Sequence, residues 1–422
     1  MSGQVKRFSA IITNQVQPKF WLLLCMGVLL TQNGWALFFD RRPKPTPPSM
    51  SYVLFPAMVD LPGIGQAKGY GGAVAELGGS DAWVLAAKLK GDFESSTLII
   101  DSIPISSKHL TLSGAYLHVK NGGIQAFERG RDSDPDRRYS LRSHELKAWG
   151  SEWGFHMFND QIELYSQQAS TSLRPKSVID ADGNEYMSKL ESLQTPILYR
   201  HGLIIDDTDD RTDPRVGIRL QAERWGVLQS DLQLGDGTQT DYSLTTYTPL
   251  TNQRSVLVFN LFTSSAAITR PGTMNPDDYQ CAPDEPPLCQ QFYDLERKRR
   301  EEEVTQGNAT ALGGTQRLRS YPQFRFYDTH SAFVGLEYRW YLTDGWKPFE
   351  FLFLKGVHTS WQLAAFQEWG QVNDKFNADL FKDMKTSTGV GLRVVFSAVV
   401  FRVDAATGKE GSQTTVFVGY GF

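Results

Sequence analysis

Residues 335–342 read Gly-Leu-Glu-Tyr-Arg-Trp-Tyr-Leu, a stretch with a period of two. In an extended chain successive side chains point to opposite faces, so alternate residues share a face. The charged face carries Glu337 and Arg339. The apolar face carries Leu336, Tyr338, Trp340 and Leu342. The pattern predicts a β-strand that is apolar on one side and polar or charged on the other.

The same period recurs along the chain, which predicts an all-β fold. Residues 218–223 alternate in this way. In residues 85–90 the two faces are Leu85, Ala87 and Leu89 against Ala86, Lys88 and Lys90. The chain has 25 Phe, 16 Tyr and 10 Trp, yet mean hydropathy is only −0.34. These values suit a transmembrane barrel, whose lipid-facing and inner residues cancel in any average, and a large soluble β-protein is the alternative.

Alternation alone does not say which face is inside. A soluble sandwich buries its apolar faces, whereas a barrel in lipid turns them outward and lines its interior with polar groups. The N-terminus favours the second arrangement, because residues 1–36 predict a bacterial export signal. Three basic residues, the last of them Lys19, precede the apolar core Phe20–Leu30, and residues 34–36 form a small-residue cleavage site. An uncleaved anchor helix is the alternative, which the short core disfavours.

The rest of the chain divides into a tether and one large domain. Residues 37–50 are rich in proline and predict a stiff, extended tether. Residues 51–422 predict a β-barrel in the outer membrane of a Gram-negative bacterium. The last eight residues, 415–422, place Val416, Val418, Tyr420 and Phe422 on one face. They resemble the C-terminal recognition strand of outer-membrane barrels, which implies that Tyr420 and Phe422 form a signal read by the barrel-assembly machinery through strand pairing.

One long interval, about 269–330, is not strand-like and predicts a long loop. Cys281 and Cys289 bracket a proline-rich sequence that we expect to be neither helix nor inner strand. An exported chain with one close cysteine pair predicts a disulfide, and a zinc site is less favoured because nearby ligands are lacking. The balanced charge block 296–303 predicts a solvated helical turn with internal ion pairs rather than a nucleic-acid site.

Two stretches around this loop resemble the outer membrane protein 85 superfamily, also called the bacterial surface antigen family, to which BamA and TamA belong. Gly313-Gly314, followed by Leu318-Arg319-Ser320-Tyr321, is similar to the family's inward-folded loop. The strand residues 335–340, with Glu337 and Arg339, are similar to the strand that follows it. Ser320 stands where the family has glycine, so we expect the turn at the loop tip to be less tight.

A second motif of the same family appears as Phe366-Gln367-Glu368-Trp369-Gly370, with Glu in place of Asp. The resemblance implies that Arg319 on the loop pairs with Glu368 on the barrel wall. Arg319, Tyr321, Phe366, Glu368 and Gly370 would then lock the loop inside. The alternative is that Arg319 and Glu368 are separate polar residues that face water in the lumen.

The resemblance continues towards the end of the chain and sets the expected architecture. Residues 206–217 are similar to an Asp-rich turn of the family. Calcium binding is the alternative, but these aspartates do not have the spacing of an EF-hand. Residues 389–393 and 401–404 resemble its penultimate strands. The family implies a closed antiparallel transmembrane barrel of sixteen strands, which we expect to start near Lys68 and to end at Phe422. Its periplasmic POTRA domains have no counterpart, since residues 37–50 are too few for one.

No catalytic pattern stands out. The seven histidines are scattered, and neither an HExxH helix nor a nucleophile elbow is present, so we expect no enzyme, cofactor or metal. The expected partners are outer-membrane lipids with lipopolysaccharide, the assembly machinery and a periplasmic or membrane protein, and not nucleic acid. Two functions fit: a barrel that transports or inserts a polypeptide or other substrate, gated by the loop that carries Arg319, and a structural barrel that anchors a partner.

Overall fold

The computed structural model describes most of the chain from Asp40 onward. The described ranges are 40–42, 50–61, 65–107, 109–187, 193–194, 197–227, 235–250, 254–281, 283, 285–343, 349–351, 354–357, 359–396 and 399–422. The predicted export signal and most of the predicted tether lie outside these residues, so the predicted domain boundaries there stay predictions.

The described residues form mainly β-strands. In chain order these are β1 (Ser51–Leu61), β2 (Gly65–Ala75), β3 (Trp83–Gly91), β4 (Glu94–Ser107), β5 (Leu110–Lys120), β6 (Gly123–Phe127), β7 (Arg138–Met157), β8 (Ile162–Ile179), β9 (Glu185–Met187), β10 (Leu193–Gln194), β11 (Leu198–Thr208), β12 (Gly217–Val227), β13 (Asp236–Leu250), β14 (Ser255–Arg270), β15 (His330–Tyr341), β16 (Phe349–Phe351), β17 (Leu354–Val357), β18 (Thr359–Asn373), β19 (Lys385–Phe396), β20 (Val399–Gly408) and β21 (Gly411–Val418). The described helices are α1 (Pro287–Gln306) and short 3₁₀ turns at Leu77–Gly79, Pro276–Tyr279 and Ala378–Phe381.

All of these strands belong to one antiparallel sheet. Each long strand pairs with the next long strand along the chain, as β14 pairs with β15 from Ser255↔Trp340 to Ser265↔His330. The five short strands β6, β9, β10, β16 and β17 extend or join hairpins at the rims. The prediction of sixteen strands is wrong, because the described sheet has 21. Strands of eight residues or more number sixteen, and the repeat pattern gave no sign of the short additions.

The two ends of the sheet approach each other without a described backbone ladder. Phe55 on β1 and Phe401 on β20 are in edge contact, with ring centroids 5.1 Å apart. Val418 on β21 packs on the apolar cluster that contains Val53. In the described residues β1 does not pair with β21, and Tyr52 and Val53 pair instead with β17. The sheet is therefore rolled up, with a seam between β1 and β21, and the predicted full closure is not found.

The strand limits also differ from the prediction at both ends. The first strand begins at Ser51 rather than near Lys68. It was missed because β1 is apolar on both faces, with Val53 turned inward and Leu54 outward, so that no alternation marks it. The last strand ends at Val418, since Gly419 has a φ of 101° and turns the chain out of the strand.

The inner face of the second half of the sheet is charged. On β15 the side chains of Glu337 and Arg339 are fully buried, whereas Trp340 is 49% exposed. On β18 the same holds for buried Glu368 and exposed Trp361. The apolar face is therefore the outer one here, which confirms the inverted arrangement predicted for this part of the chain.

Strand β3 has the opposite orientation. Leu85 is buried, and Ala87 and Leu89 also face the interior, while Lys88 and Lys90 are exposed on the outer surface. The prediction that apolar faces point outward is thus wrong for β3. A period of two separates the two faces of a strand but does not say which face is the inner one. Here β1, β3 and β4 form an apolar inner wall.

Helix α1 contains the charge block at 296–303. Its ion pairs Arg299–Glu296 (2.8 Å) and Arg300–Glu303 (3.1 Å) are internal, as predicted. The prediction that no helix forms between the cysteines is wrong for the last residues before Cys289, because α1 begins at Pro287. Proline is tolerated in the first turn of a helix, where the backbone N–H has no partner within the helix. No helix in the described ranges is long and apolar enough to cross a membrane.

Candidate functional site

The connection between β14 and β15 returns to the inner face of the sheet. Its last part, residues 307–329, is here called the inner loop. An isolated bridge joins Leu312 to Phe326. Buried side chains of the loop and of β14, β15 and β18 form one apolar cluster: Leu312, Leu318, Tyr321, Phe326, Phe262, Phe333 and Val372. Apolar packing therefore contributes to holding the inner loop against the wall of the sheet.

Two glycines shape the start of the inner loop. Gly313 and Gly314 have φ values of 106° and 104°, which favour glycine. A Cβ at Gly313 would lie 2.2 Å from the carbonyl oxygen of Pro322. At the tip the left-handed residue is Leu318 (φ 53°), and Ser320 donates its N–H to Ser387 Oγ at 3.0 Å. The expected loosening at Ser320 is wrong, because that position needs no positive φ.

Arg319 is completely buried and makes two contacts with one carboxylate. Its Nε donates to Oε1 of Glu368 at 2.8 Å, and its backbone N–H donates to Oε2 of the same group at 2.8 Å. The structure therefore brings together the two residues that the motifs paired. The water-facing alternative is excluded by their burial, since both side chains are 0% exposed.

Two further carboxylates complete the surroundings of Arg319. Its Nη1 lies 2.8 Å from Asp404 Oδ2 and 3.1 Å from Glu337 Oε2. Because Glu337, Glu368 and Asp404 belong to β15, β18 and β20, one guanidinium ties the inner loop to three strands. A charge taken out of water is tolerated only with such pairing.

Three more arginines share these carboxylates. Arg393 bridges Glu337 (2.9 Å) and Asp404 (2.5 Å), and Arg339 binds Glu337 at 2.8 Å. Arg402 lies 3.4 Å from Asp404. We call these four arginines and three carboxylates the ionic cluster. Each member depends on shared partners, so the cluster behaves as one network rather than as separate pairs.

The Phe366–Gly370 motif gives the wall a shape that fits the inner loop. Alternate residues 366, 368 and 370 point inward. The Arg319 guanidinium lies 3.4 Å from the centre of the Phe366 ring, a cation–π contact. A Cβ at Gly370 would lie 2.9 Å from Leu312 and 3.0 Å from Leu318, so a side chain there would push the loop away. The motif thus supplies a stacking surface, a carboxylate and a gap.

The last residues of the chain turn inward beside the ionic cluster. The Tyr420 hydroxyl donates to Asp213 Oδ1 at 2.7 Å, and the Arg339 guanidinium lies 3.8 Å from the centre of the Tyr420 ring. Phe422 packs against Phe333. Residues beyond Val418 therefore do not continue the strand face. The prediction of one continuous face is wrong there, and the assembly role of Tyr420 and Phe422 stays a prediction.

The Asp-rich turn at residues 209–216 is held by its own backbone and by the N-terminal segment. Asp209 accepts from the N–H groups of Arg215 (2.8 Å) and Val216 (3.0 Å). Arg41 donates to the Thr208 carbonyl at 2.9 Å, and Arg42 pairs with Asp209 at 3.2 Å. Its carboxylates are therefore satisfied by protein groups, in agreement with the predicted acidic turn.

Ion pairs join neighbouring loops at the rim that carries the long connection. Arg325 pairs with Glu410 at 2.7 and 2.9 Å, and Arg129 pairs with Asp328 at 3.0 Å. Cys281 and Cys289 form a disulfide, so their thiolates are not available to a metal. Leu288, Cys289 and Phe292 at the start of α1 pack on a cluster with Val178 and Tyr186. Helix α1 therefore covers this rim.

Several residues of the site were missed by sequence reasoning. Arg393, Arg402 and Asp404 lie in segments matched only as strands, and Arg317 precedes the loop motif by one residue. The Arg317 guanidinium lies 3.6 Å over the Phe262 ring. Burial lowers the pKa of Arg317 to about 10, against the opposing effect of nearby carboxylates. For Arg393, Arg402 and Asp404 the available signal was a charge in an alternating strand, but alternation does not say which face is inner.

No family model and no curated protein matches the sequence. Among solved structures, BamA from Haemophilus ducreyi lacking POTRA domains 1–3 is similar at 11% identity and a TM-score of 0.44, over 88% of this chain and 70% of that chain. CdiB from Escherichia coli is similar at 10% identity and a TM-score of 0.49, over 88% of this chain. The chain spans 62% of the CdiB chain, less than two thirds of its length. The function proposed below rests on contacts within this chain.

Proposed function

We propose that this chain is an outer-membrane β-barrel of a Gram-negative bacterium that transports or inserts a polypeptide at its seam. A membrane position is supported by the outer face of the rolled sheet. Trp149, Trp153, Trp340 and Trp361 are each at least 40% exposed there, whereas the inner face holds buried charges. An aromatic outer face and a polar interior are the arrangement that lipid requires.

The orientation in the membrane follows from the lengths of the connections. Consecutive long strands are antiparallel, so alternate connections share a rim. One rim carries the long connection 271–329 and the loop 128–137, and the other carries the turns 158–161 and 209–216. Outer-membrane barrels have longer loops outside and short turns in the periplasm. The rim with Arg41 and the last residues of the chain is therefore assigned to the periplasm.

The seam is the observation that carries the proposed activity. Beyond Val53, no described strand pairs with the outer edge of β1, although all other long strands between β1 and β21 have two neighbours. An unpaired edge offers a row of backbone donors and acceptors to an extended chain. A polypeptide could add to this edge and leave sideways into the bilayer.

The ionic cluster has a supporting role in this proposal and no catalytic one. Arg319 ties the inner loop to β15, β18 and β20, and β20 is next but one to the seam. A stiff wall on this side leaves β1 as the side that moves. The cluster therefore fixes one edge of the gate while the inner loop obstructs a straight route through the interior.

A reversible cross-link across the seam tests the proposal. Val53→Cys combined with Val418→Cys joins residues of one apolar cluster at the seam. The matched control, Val403→Cys with Val416→Cys, joins residues that are already opposite each other on β20 and β21. Oxidation of the seam pair should stop insertion of a second barrel protein into liposomes, and a reductant should restore it. Wild type with reductant controls for the native disulfide.

A structural barrel that anchors a partner is the second candidate. It is favoured by the covered outer rim, where Arg129 and Arg325 hold loops together below α1. Planar-bilayer conductance of the wild type and of a variant lacking residues 271–325 separates the two. If both are silent and neither accelerates insertion of other barrels, the anchoring function stands and the transport function fails.

A further inference from the structure

A second interior feature lies beside the seam, away from the inner loop. It is a cavity of about 1000 Å³, at the upper end of the 300–1,000 Å³ typical of ligand pockets. Its apolar wall comes from β1, β3, β4 and β20: Phe55, Trp83, Leu85, Leu89, Ile99 and Phe401. Apolar walls of this extent are unfavourable in contact with water, so the lining suits an apolar molecule.

Strand β2 lies between β1 and β3, and none of its described residues lines the cavity directly. Its exposed positions carry larger side chains such as Lys68 and Tyr70. All of its described inward positions are glycine or alanine: Ala67, Gly69, Gly71, Ala73 and Ala75. The Phe55 ring lies over the space in front of Gly71, because a Cβ there would meet the ring at 2.7 Å. The small inner face of β2 therefore makes room for the Phe55 ring, which lines the cavity from β1.

The periplasmic end of the cavity carries charges of both signs. Arg211, Arg219 and Arg42 of the N-terminal segment line this end. Arg211 also pairs with Glu163, and Arg219 with Asp206 at 2.7 Å, so a phosphate would share these guanidinium groups. Asp101 and Glu152 line the cavity from β4 and β7. A head group with a phosphate and an ammonium complements this pattern, whereas a purely anionic group would face the carboxylates without compensation.

The cavity also reaches the outer surface at the seam. Ala57 of β1 and Val418 of β21 line it from the two edges. Val416 lines it as well and is 53% exposed on the outer face. The apolar surface thus continues from the interior towards the surrounding membrane, where lipid is the abundant apolar molecule.

We propose that this cavity binds the acyl chains of a zwitterionic glycerophospholipid that enters through the seam. The phosphate lies towards Arg211 and Arg219, and the ammonium lies towards Asp101 and Glu152. The inference rests on the membrane location in the proposed function and does not depend on polypeptide insertion. A lipid in this cavity would fill the interior next to the seam.

Native mass spectrometry of the protein in mild detergent, with added phosphatidylethanolamine, tests the proposal. Ala87→Phe places a ring in the cavity, and Ala86→Phe is its matched control, since the neighbouring residue faces outward. Wild type and the Ala86 variant should retain one tightly bound lipid that the Ala87 variant loses. Heat-modifiable migration in gels checks that each variant folds. If the Ala87 variant does not fold, Leu89→Asn tests the same wall by polarity.

Three results would overturn this proposal. One is a wild type without bound lipid, as expected if another part of the chain fills the cavity. Another is equal lipid on both alanine variants, which means lipid on the outer surface only. The third is equal retention of phosphatidylglycerol and phosphatidylethanolamine, which contradicts the zwitterionic head-group site. Since the Ala87 variant should still insert barrels into liposomes, failure of this proposal is distinguishable from failure of the proposed function.

Discussion

Arg319 donates two hydrogen bonds to the Glu368 carboxylate. Its Nε donates to one oxygen and its backbone N–H to the other, both at 2.8 Å. The contact therefore fixes the main chain of the inner loop as well as the side chain. Removing one partner leaves the other charge buried, and such a loss costs about 3–5 kcal/mol. The position of the inner loop thus depends on this pair more than on any exposed contact.

We predict that Arg319→Ala and Glu368→Ala each release the inner loop, seen as faster trypsin cleavage between residues 307 and 329. The double variant should be little worse than either single variant, because the two residues act as one unit. Asp379→Ala is the control, since its ion pair with Lys382 is about half exposed and such pairs contribute about 0–1 kcal/mol. Additive effects in the double variant would show that the residues act independently.

We predict that Gly370→Ala displaces the inner loop although no charge changes. The new Cβ would lie 2.9 Å from Leu312 and 3.0 Å from Leu318, closer than van der Waals contact allows. Such overpacking costs about 1–3 kcal/mol. Gly150→Ala in β7 is the matched control, because its nearest neighbour is 3.5 Å away. Equal cleavage of the inner loop in the two variants would contradict the proposed fit at Gly370.

We predict that Tyr420→Phe frees the C-terminal residues from the interior. The variant loses the hydrogen bond to Asp213, and a bond to a charged acceptor contributes about 1.5–3 kcal/mol. Carboxypeptidase digestion of the folded protein should become faster. Tyr116→Phe, on the exposed outer face, should leave the digestion rate unchanged. No difference between the two variants would show that the Tyr420 contact does not hold the chain end.

We predict that the Cys281–Cys289 bridge stabilises the cover of the outer rim and not the sheet. The closed loop is short, so its contribution is modest, about 2–3 kcal/mol. Cys281→Ser with Cys289→Ser should raise hydrogen exchange in α1 while the exchange of β14 and β15 stays the same. Peptide mapping of unreduced wild type should find no free thiol at either position. Free thiols at both positions would refute the bridge.

The Arg319–Glu368 pair could be predicted because two sequence motifs each supplied one partner. Asp404 and Arg393 could not, since they sit in strands with ordinary alternation and sequence does not say which face is inner. On β3 the same ambiguity gave the wrong answer, and the apolar wall of the cavity was missed. Whether a face is inner depends on strands far away in sequence, which a local pattern does not contain.

The end of the chain shows a different limit. Alternation at residues 415–422 predicts a single strand, but Gly419 breaks it and Tyr420 turns inward. The two glycines at 419 and 421 were the available signal for this bend. The direction of this bend depends on Asp213, which accepts a hydrogen bond from the Tyr420 hydroxyl and lies about 200 residues earlier in the chain.

Photo-cross-linking of a polypeptide during insertion tests most directly whether the polypeptide passes through the seam. A photoreactive residue in place of Leu54, exposed on β1 beside the seam, should become linked to the inserting chain. The same residue in place of Trp361, exposed on β18 away from the seam, should give little product. Strong cross-links from position 54 alone are the predicted result. Equal labelling from both positions, or none from position 54, would contradict passage through the seam.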